Sequence, residues 1–133
     1  MSGIVADTHA IVWYFVEPVR LSANARALIE QTALAGEAIY VSAISIIEIC
    51  YLVDKGRLSA MVLQRVVNAL RDANAAVEII PVDLDVALAL PRIARADVPD
   101  MPDRIIAATA LHLNVPLISR DRQIRATGIH TIW

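Results

Sequence analysis

The sequence is poor in cysteine, glycine and lysine, and it has no apolar run long enough to span a bilayer. The single Cys50 excludes an internal disulfide. Its neighbours Ile46, Ile47, Ile49 and Leu52 mark it as a small buried apolar residue. Four glycines and six prolines in 133 residues exclude collagen-like and low-complexity chains. The best apolar stretch, Ala38 to Val53, falls short of the roughly 20 residues a transmembrane helix needs and carries Glu48 inside it. Met1 to Val16 has no basic region and meets Asp7 early, so it does not read as a secretory leader. These features lead us to expect a cytoplasmic location and no membrane contact.

What is present fits one domain spanning residues 1–133, within the usual size of a single core. Apolar residues make up 57% of the chain, above the roughly 45–50% of an average soluble domain. With a mean hydropathy of +0.55, some apolar surface is expected to be covered by a partner. A net charge of −2 gives no general attraction to polyanions. Any nucleic acid must then be held by local positive patches. Lys55 is the only lysine among twelve basic residues. Arginine suits bidentate contact with phosphate, although base composition of a genome produces the same bias, so position has to decide.

Short apolar runs alternate with helical patterns, which predicts a parallel sheet with helices on its faces. The strands are read at Gly3 to Ala6, Ala38 to Val41, Val77 to Ile80, Pro116 to Ser119 and Ile129 to Ile132. Ser22 caps a helix to about Ala35, Ala43 to Asp54 forms a helix buried on nearly every side, and Ser59 caps a helix to about Ala73. A further helix, about Leu84 to Ala94, is kinked or broken by Pro91. A loop over 97–102 leads into a helix from near Pro102 to Leu113. Crossover connections make the five-stranded sheet mostly parallel, and the fold class is α/β, a three-layer α/β/α sandwich.

Ligands of open parallel sheets bind beyond the carboxyl ends of the strands. Asp7 follows the first strand and Asp121 follows the fourth through Ser119 and Arg120, so both reach one edge. Glu48 shares a helix face with Ile44, Ile47 and Tyr51, where an apolar residue belongs. A buried carboxylate must gain a proton, pair with an arginine or serve a site. Asp103 lies in a first turn on the face of Ile106, Ala107 and Ala110. The same position also suits an ordinary helix start capped by Asp100. If the four acids meet, their repulsion calls for raised pKa values or a divalent ion such as Mg2+, with Mn2+ able to substitute. Such an ion can orient a water and neutralise charge on a phosphodiester. His9, His112 and His130 have no ligand spacing. His9 is read as a local packing or hydrogen-bonding group and His112 as a surface or partner-facing residue.

Taken together, Val5-Ala6-Asp7-Thr8-His9-Ala10 with Trp13, Ser42 to Ile49, Pro102 to Ala110 and Ser119-Arg120-Asp121 closely resemble the PIN domain, in its VapC toxin branch. The resemblance runs from Ile4 to Trp133. It implies a Mg2+-dependent ribonuclease, the toxin of a type II toxin–antitoxin pair, with Asp7, Glu48, Asp103 and Asp121 as the catalytic acids. Asp7 and Asp103 would be the direct metal ligands. Ser119 keeps a hydroxyl where relatives often have threonine, and Arg104 and Arg120 flank the expected pocket, within reach of a phosphate. The resemblance further implies a homodimer, a cognate VapB-like antitoxin and an RNA substrate. A receiver-type domain is disfavoured because Lys55 follows a helix, and a haloacid-dehalogenase-like phosphatase because His9 stands where its second aspartate is needed. The alternative of another class is a catalytically silent binding module on the same fold.

Overall fold

A computed structural model describes residues 2–133. The chain runs β1 (Ile4–Ala6), α1 (Thr8–Val16), α2 (Ala23–Leu34), β2 (Ile39–Ser42), α3 (Ala43–Asp54), α4 (Ala60–Arg71), β3 (Val77–Ile80), α5 (Leu84–Ala89), α6 (Met101–Leu113), β4 (Leu117–Ile118), α7 (Arg122–Arg125) and β5 (Thr131–Ile132). The five strands line up in the order β3-β2-β1-β4-β5. All pairings are parallel, with Val5 opposite both Tyr40 and Leu117.

This order places the helices. Progress from β1 to β2 to β3 goes one way across the sheet, and the return to β4 and β5 goes the other way. Crossovers of one hand must then cover opposite faces. The side chains follow, because neighbouring residues of a strand point to opposite faces. Ile4, Ala6, Ile39, Val41 and Ile118 pack into a core with residues of α1, α2 and α4. Val5, Tyr40 and Leu117 pack with residues of α5 and α6. Helix α3 joins both cores, since Ile49 belongs to the first and Ile44 to the second.

Local signals account for most helix ends. Ser22, Ser59 and Asp100 accept hydrogen bonds from the backbone N–H groups of Ala25, Met61 and Asp103. Pro91 limits α5 as expected, and the chain tightens to a 3-10 turn over Leu90–Arg92. Three elements depart from the sequence reading, one of them the short α7, which that reading did not place. Helix α1 was not anticipated, because beyond Thr8 and His9 it is a run of apolar and aromatic residues with no polar stripe. Helix α3 is not buried on every side. Its outward stripe carries Ile47, Cys50, Tyr51 and Asp54, all exposed, so Cys50 is an accessible thiol rather than a core residue.

Gly3 makes the start of β1 possible. Its φ is +112°, and a Cβ there would lie 2.5 Å from the Ala38 carbonyl oxygen, the acceptor of the sheet bond from Ile4 N–H. Gly3→Ala is therefore expected to cost about 2 kcal/mol and lower the Tm by several degrees, measured by thermal unfolding.

Candidate active site

The crevice lies where the strand order reverses, between β1 and β4, whose carboxyl ends face the same way. Asp7 leaves β1 on one side of it. Its carboxylate caps α1 by accepting from Ala10 N–H at 2.8 Å. On the other side β4 runs into Ser119, which is fully buried, and Asp121, whose N–H donates to the Ser119 hydroxyl at 3.1 Å. Asp121 then caps α7 through Gln123 N–H. Asp103 comes from the first turn of α6, capped by Asp100. Both α1 and α6 thus direct the positive ends of their dipoles at carboxylates of the site.

Asp7, Asp103 and Asp121 line one cavity of about 290 Å³, together with His9, Trp13, Arg120 and Trp133. Glu48 approaches from α3 beside it. Its Oε1 accepts the Thr8 hydroxyl proton at 2.5 Å, and Thr8 Oγ1 is also hydrogen-bonded to Ser45 Oγ at 2.9 Å. One hydroxyl has one proton, so Ser45 supplies the second. Thr8 is buried and sits next to Asp7 in sequence, so this relay fixes the helix-borne acid relative to the strand-end acid. Among the described residues, no three His, Cys, Asp or Glu side chains close to the spacing of an all-protein metal cage. The donor set is nonetheless hard oxygen, which suits an ion that takes one or two carboxylates directly and keeps waters.

The electrostatics show crowding. Burial pushes the Asp7 carboxyl above its ordinary range, opposed by the neighbouring Ser119 hydroxyl, the Ala10 N–H and His9, with Asp121 adding to the rise. Burial also raises Glu48, opposed chiefly by the Thr8 hydroxyl. Asp103 is pushed up to about 8, first by burial, then by the charge of Asp100 and by the adjoining carboxyl of Asp121, which accepts its proton. Two acids in one recess share a proton when nothing else neutralises them.

The arginines divide. Arg120 lines the cavity, with its guanidinium carbon 4.7 Å from a Trp13 ring centroid. Arg104 does not line it, which corrects the expectation that it flanks the pocket. Its Nη2 donates to the carbonyls of Leu90 (3.3 Å) and Ile93 (3.1 Å). Although it follows Asp103 directly in sequence, it points back to the segment preceding α6 and ties it down. Arg104→Ala is expected to cost about 2 kcal/mol in thermal unfolding and to leave the salt dependence of RNA binding unchanged. A phosphate ligand would show the reverse pattern.

His9 was read as a packing or hydrogen-bonding group. It does lie against Trp13, tilted at 47° with 5.5 Å between ring centroids, but it is exposed and forms part of the cavity wall. Trp133, 5.8 Å from Trp13, is the wall residue that sequence reasoning missed. The available signal for His9 was Asp7 acting as a helix cap, which puts positions 8 and 9 in a first turn beside the strand end.

The PIN domain family model matches residues 4–129. This chain belongs to the PIN domain family. A relative, Ribonuclease VapC22 of Mycobacterium tuberculosis, is 31% identical over 132 residues, covering 95% of this chain and 92% of that protein. The crystal structure of VapBC2 from Rickettsia felis, bound to a DNA fragment from their promoter, matches with a TM-score of 0.74 at 16% identity, covering 98% of each chain. A toxin–antitoxin complex from Klebsiella pneumoniae matches with a TM-score of 0.65 at 21% identity, covering 98% of this chain and 96% of that one. The likeness to both solved structures is one of PIN fold.

Proposed function

We propose that this PIN domain is a metal-dependent endoribonuclease and the toxin of a toxin–antitoxin pair, acting as one domain in the cytoplasm. The observation that carries the reading is the convergence of Asp7, Asp103 and Asp121 on one cavity at the switch point, with Glu48 tied to it through Thr8. The name of the 31%-identical relative supports ribonuclease activity.

In this reading Asp7 and Asp103 hold Mg2+, for which Mn2+ substitutes. Held there, the ion would supply neutralisation of charge on the phosphodiester and activation of water. Asp121 accepts a hydrogen bond from the protonated Asp103 in the metal-free chain, and the Ser119 hydroxyl holds Asp121 in place through its backbone N–H. Glu48, fixed by Thr8, receives a proton from the attacking water or orients that water. Arg120 sits at the cavity wall to meet the substrate phosphate.

A cognate antitoxin of the VapB kind is the proposed partner, in keeping with the fold-mates solved as toxin–antitoxin complexes. The chain presents exposed apolar residues on neighbouring helices for it and for a second copy. Ile47 and Tyr51 lie on α3, Leu84 and Leu88 on α5, and Met101 on α6.

Purified, antitoxin-free chain incubated with structured RNA should cleave it with Mg2+ and not with EDTA. Asp7→Ala should be inactive under the same conditions. Equal cleavage by the variant would identify a contaminant, and no cleavage of any RNA would favour the silent binding module.

A further inference from the structure

A second cavity, of about 230 Å³, adjoins the acidic one, and His9, Trp13 and Arg120 belong to the walls of both. Its remaining charged lining is Arg20 and Arg57. The guanidinium carbons of Arg20 and Arg120 lie 4.6 and 4.7 Å from a Trp13 ring centroid, so one indole holds two like charges together. Trp13 is only 4% exposed. It is a buttress that orients guanidinium groups, not a platform on which a base stacks. Arg57 is presented by the turn after α3, where its N–H and that of Leu58 both bond to the Leu52 carbonyl.

Among the described residues the ion pairs are Arg20 with Glu17, at 3.6 Å and half-exposed, and Arg26 with Glu30. Among the described residues neither Arg57 nor Arg120 has a carboxylate within ion-pair distance. Three arginines around one small recess, in a chain whose net charge is −2, repel one another unless an anion joins them. The recess is smaller than the roughly 300–1,000 Å³ of pockets that enclose whole drug-sized ligands, and so admits a phosphate with part of its sugar. Arginine forks match phosphate oxygens bidentately.

We propose that this recess seats the RNA phosphate next to the scissile one, bound by Arg20 and Arg57, with Arg120 facing both cavities. This rests on the ribonuclease reading for which bond is scissile. The anion site itself stands on the arginines alone.

The test is fluorescence anisotropy of a labelled 20-nucleotide single-stranded RNA in EDTA, where nothing is cleaved. Arg20→Ala and Arg57→Ala should each weaken binding about tenfold, and each should reduce the slope of log affinity against log salt by about 0.7. Arg26→Ala, on the outer face of α2, should change neither. Binding of both variants at wild-type strength and slope, or no RNA binding by the wild type, overturns the proposal. So does a loss of antitoxin binding with RNA binding intact, which would make the recess a protein-docking site.

A ligand-side measurement covers variants that fail to fold. Replacing single phosphates of a cleavable RNA by neutral methylphosphonate should slow cleavage at one position adjoining the cut. That substitution and Arg57→Ala should be non-additive. Additive losses, or no sensitive position beside the cut, contradict the assignment. If wild type binds RNA through these arginines yet cleaves none with Mg2+, the ribonuclease reading falls and the anion site survives.

Discussion

Asp103→Asn is expected to abolish RNA cleavage and, in the metal-free protein at pH 8, to raise the thermal midpoint. The two effects have one cause. Asp103 is a half-buried acid among Asp100, Asp121 and Glu48, and its pKa rises from 3.8 to about 8. Folding therefore disfavours its charge, and a neutral amide of the same shape removes that burden. Asparagine still donates to the Asp121 carboxyl, as the protonated acid does. Cleavage should fall at least a hundredfold, the scale on which loss of one group that meets developing charge is felt. A lower midpoint at pH 8 together with lost activity would mean that Asp103 is a structural cap. The stability gain should shrink as pH falls and Asp103 takes up its own proton.

Mg2+ should stabilise the wild-type chain, and the effect should grow with pH. In the metal-free protein Asp7, Glu48 and Asp103 all have folded pKa values above their unfolded ones. The native state then binds more protons than the unfolded chain, so this contribution is fullest below about pH 4 and is lost as pH rises through about 8. An ion takes the deprotonated carboxylates and reverses that loss. At a hundred times its Kd it adds ~2.7 kcal/mol, about 10 °C in a domain of this size. Scanning fluorimetry at pH 6 and pH 8, with and without Mg2+, should show a midpoint that falls with pH in EDTA and a larger metal effect at pH 8. In Asp7→Asn the metal effect should disappear. A wild-type midpoint indifferent to millimolar Mg2+ at both pH values contradicts the metal site.

The sheet was legible because its strands are short apolar runs and its helices carry caps. Ser22, Ser59 and Asp100 each announce a start that the structure keeps. Helix α1 was not legible. Periodicity marks a helix only when one side is polar, and Thr8–Val16 lies between the sheet and other helices. Asp7 had two local roles to announce, strand end and helix cap, and the first obscured the second. At α3 the converse holds, since apolar composition does not by itself bury a helix face. Ile47, Cys50 and Tyr51 instead face outward, because they fall on the side of the helix away from Ser45 and Ile49. Arg104 misled for a related reason. Adjacent residues on a helix point about 100° apart, so standing next to Asp103 does not aim Arg104 into the same recess. Asp7 and Asp121 could be singled out because they follow strands of a parallel sheet, and Glu48 because a carboxylate on an apolar helix face is costly, a cost the structure keeps as its raised pKa.

The most direct test is a crystal of the free chain soaked with Mn2+ near pH 8, read by its anomalous signal. A peak in the recess between β1 and β4, about 2 Å from a carboxylate oxygen of Asp7 and of Asp103, is the expected result. Saturating Mn2+ that leaves this recess without a peak, or that binds only at other carboxylates, would contradict it.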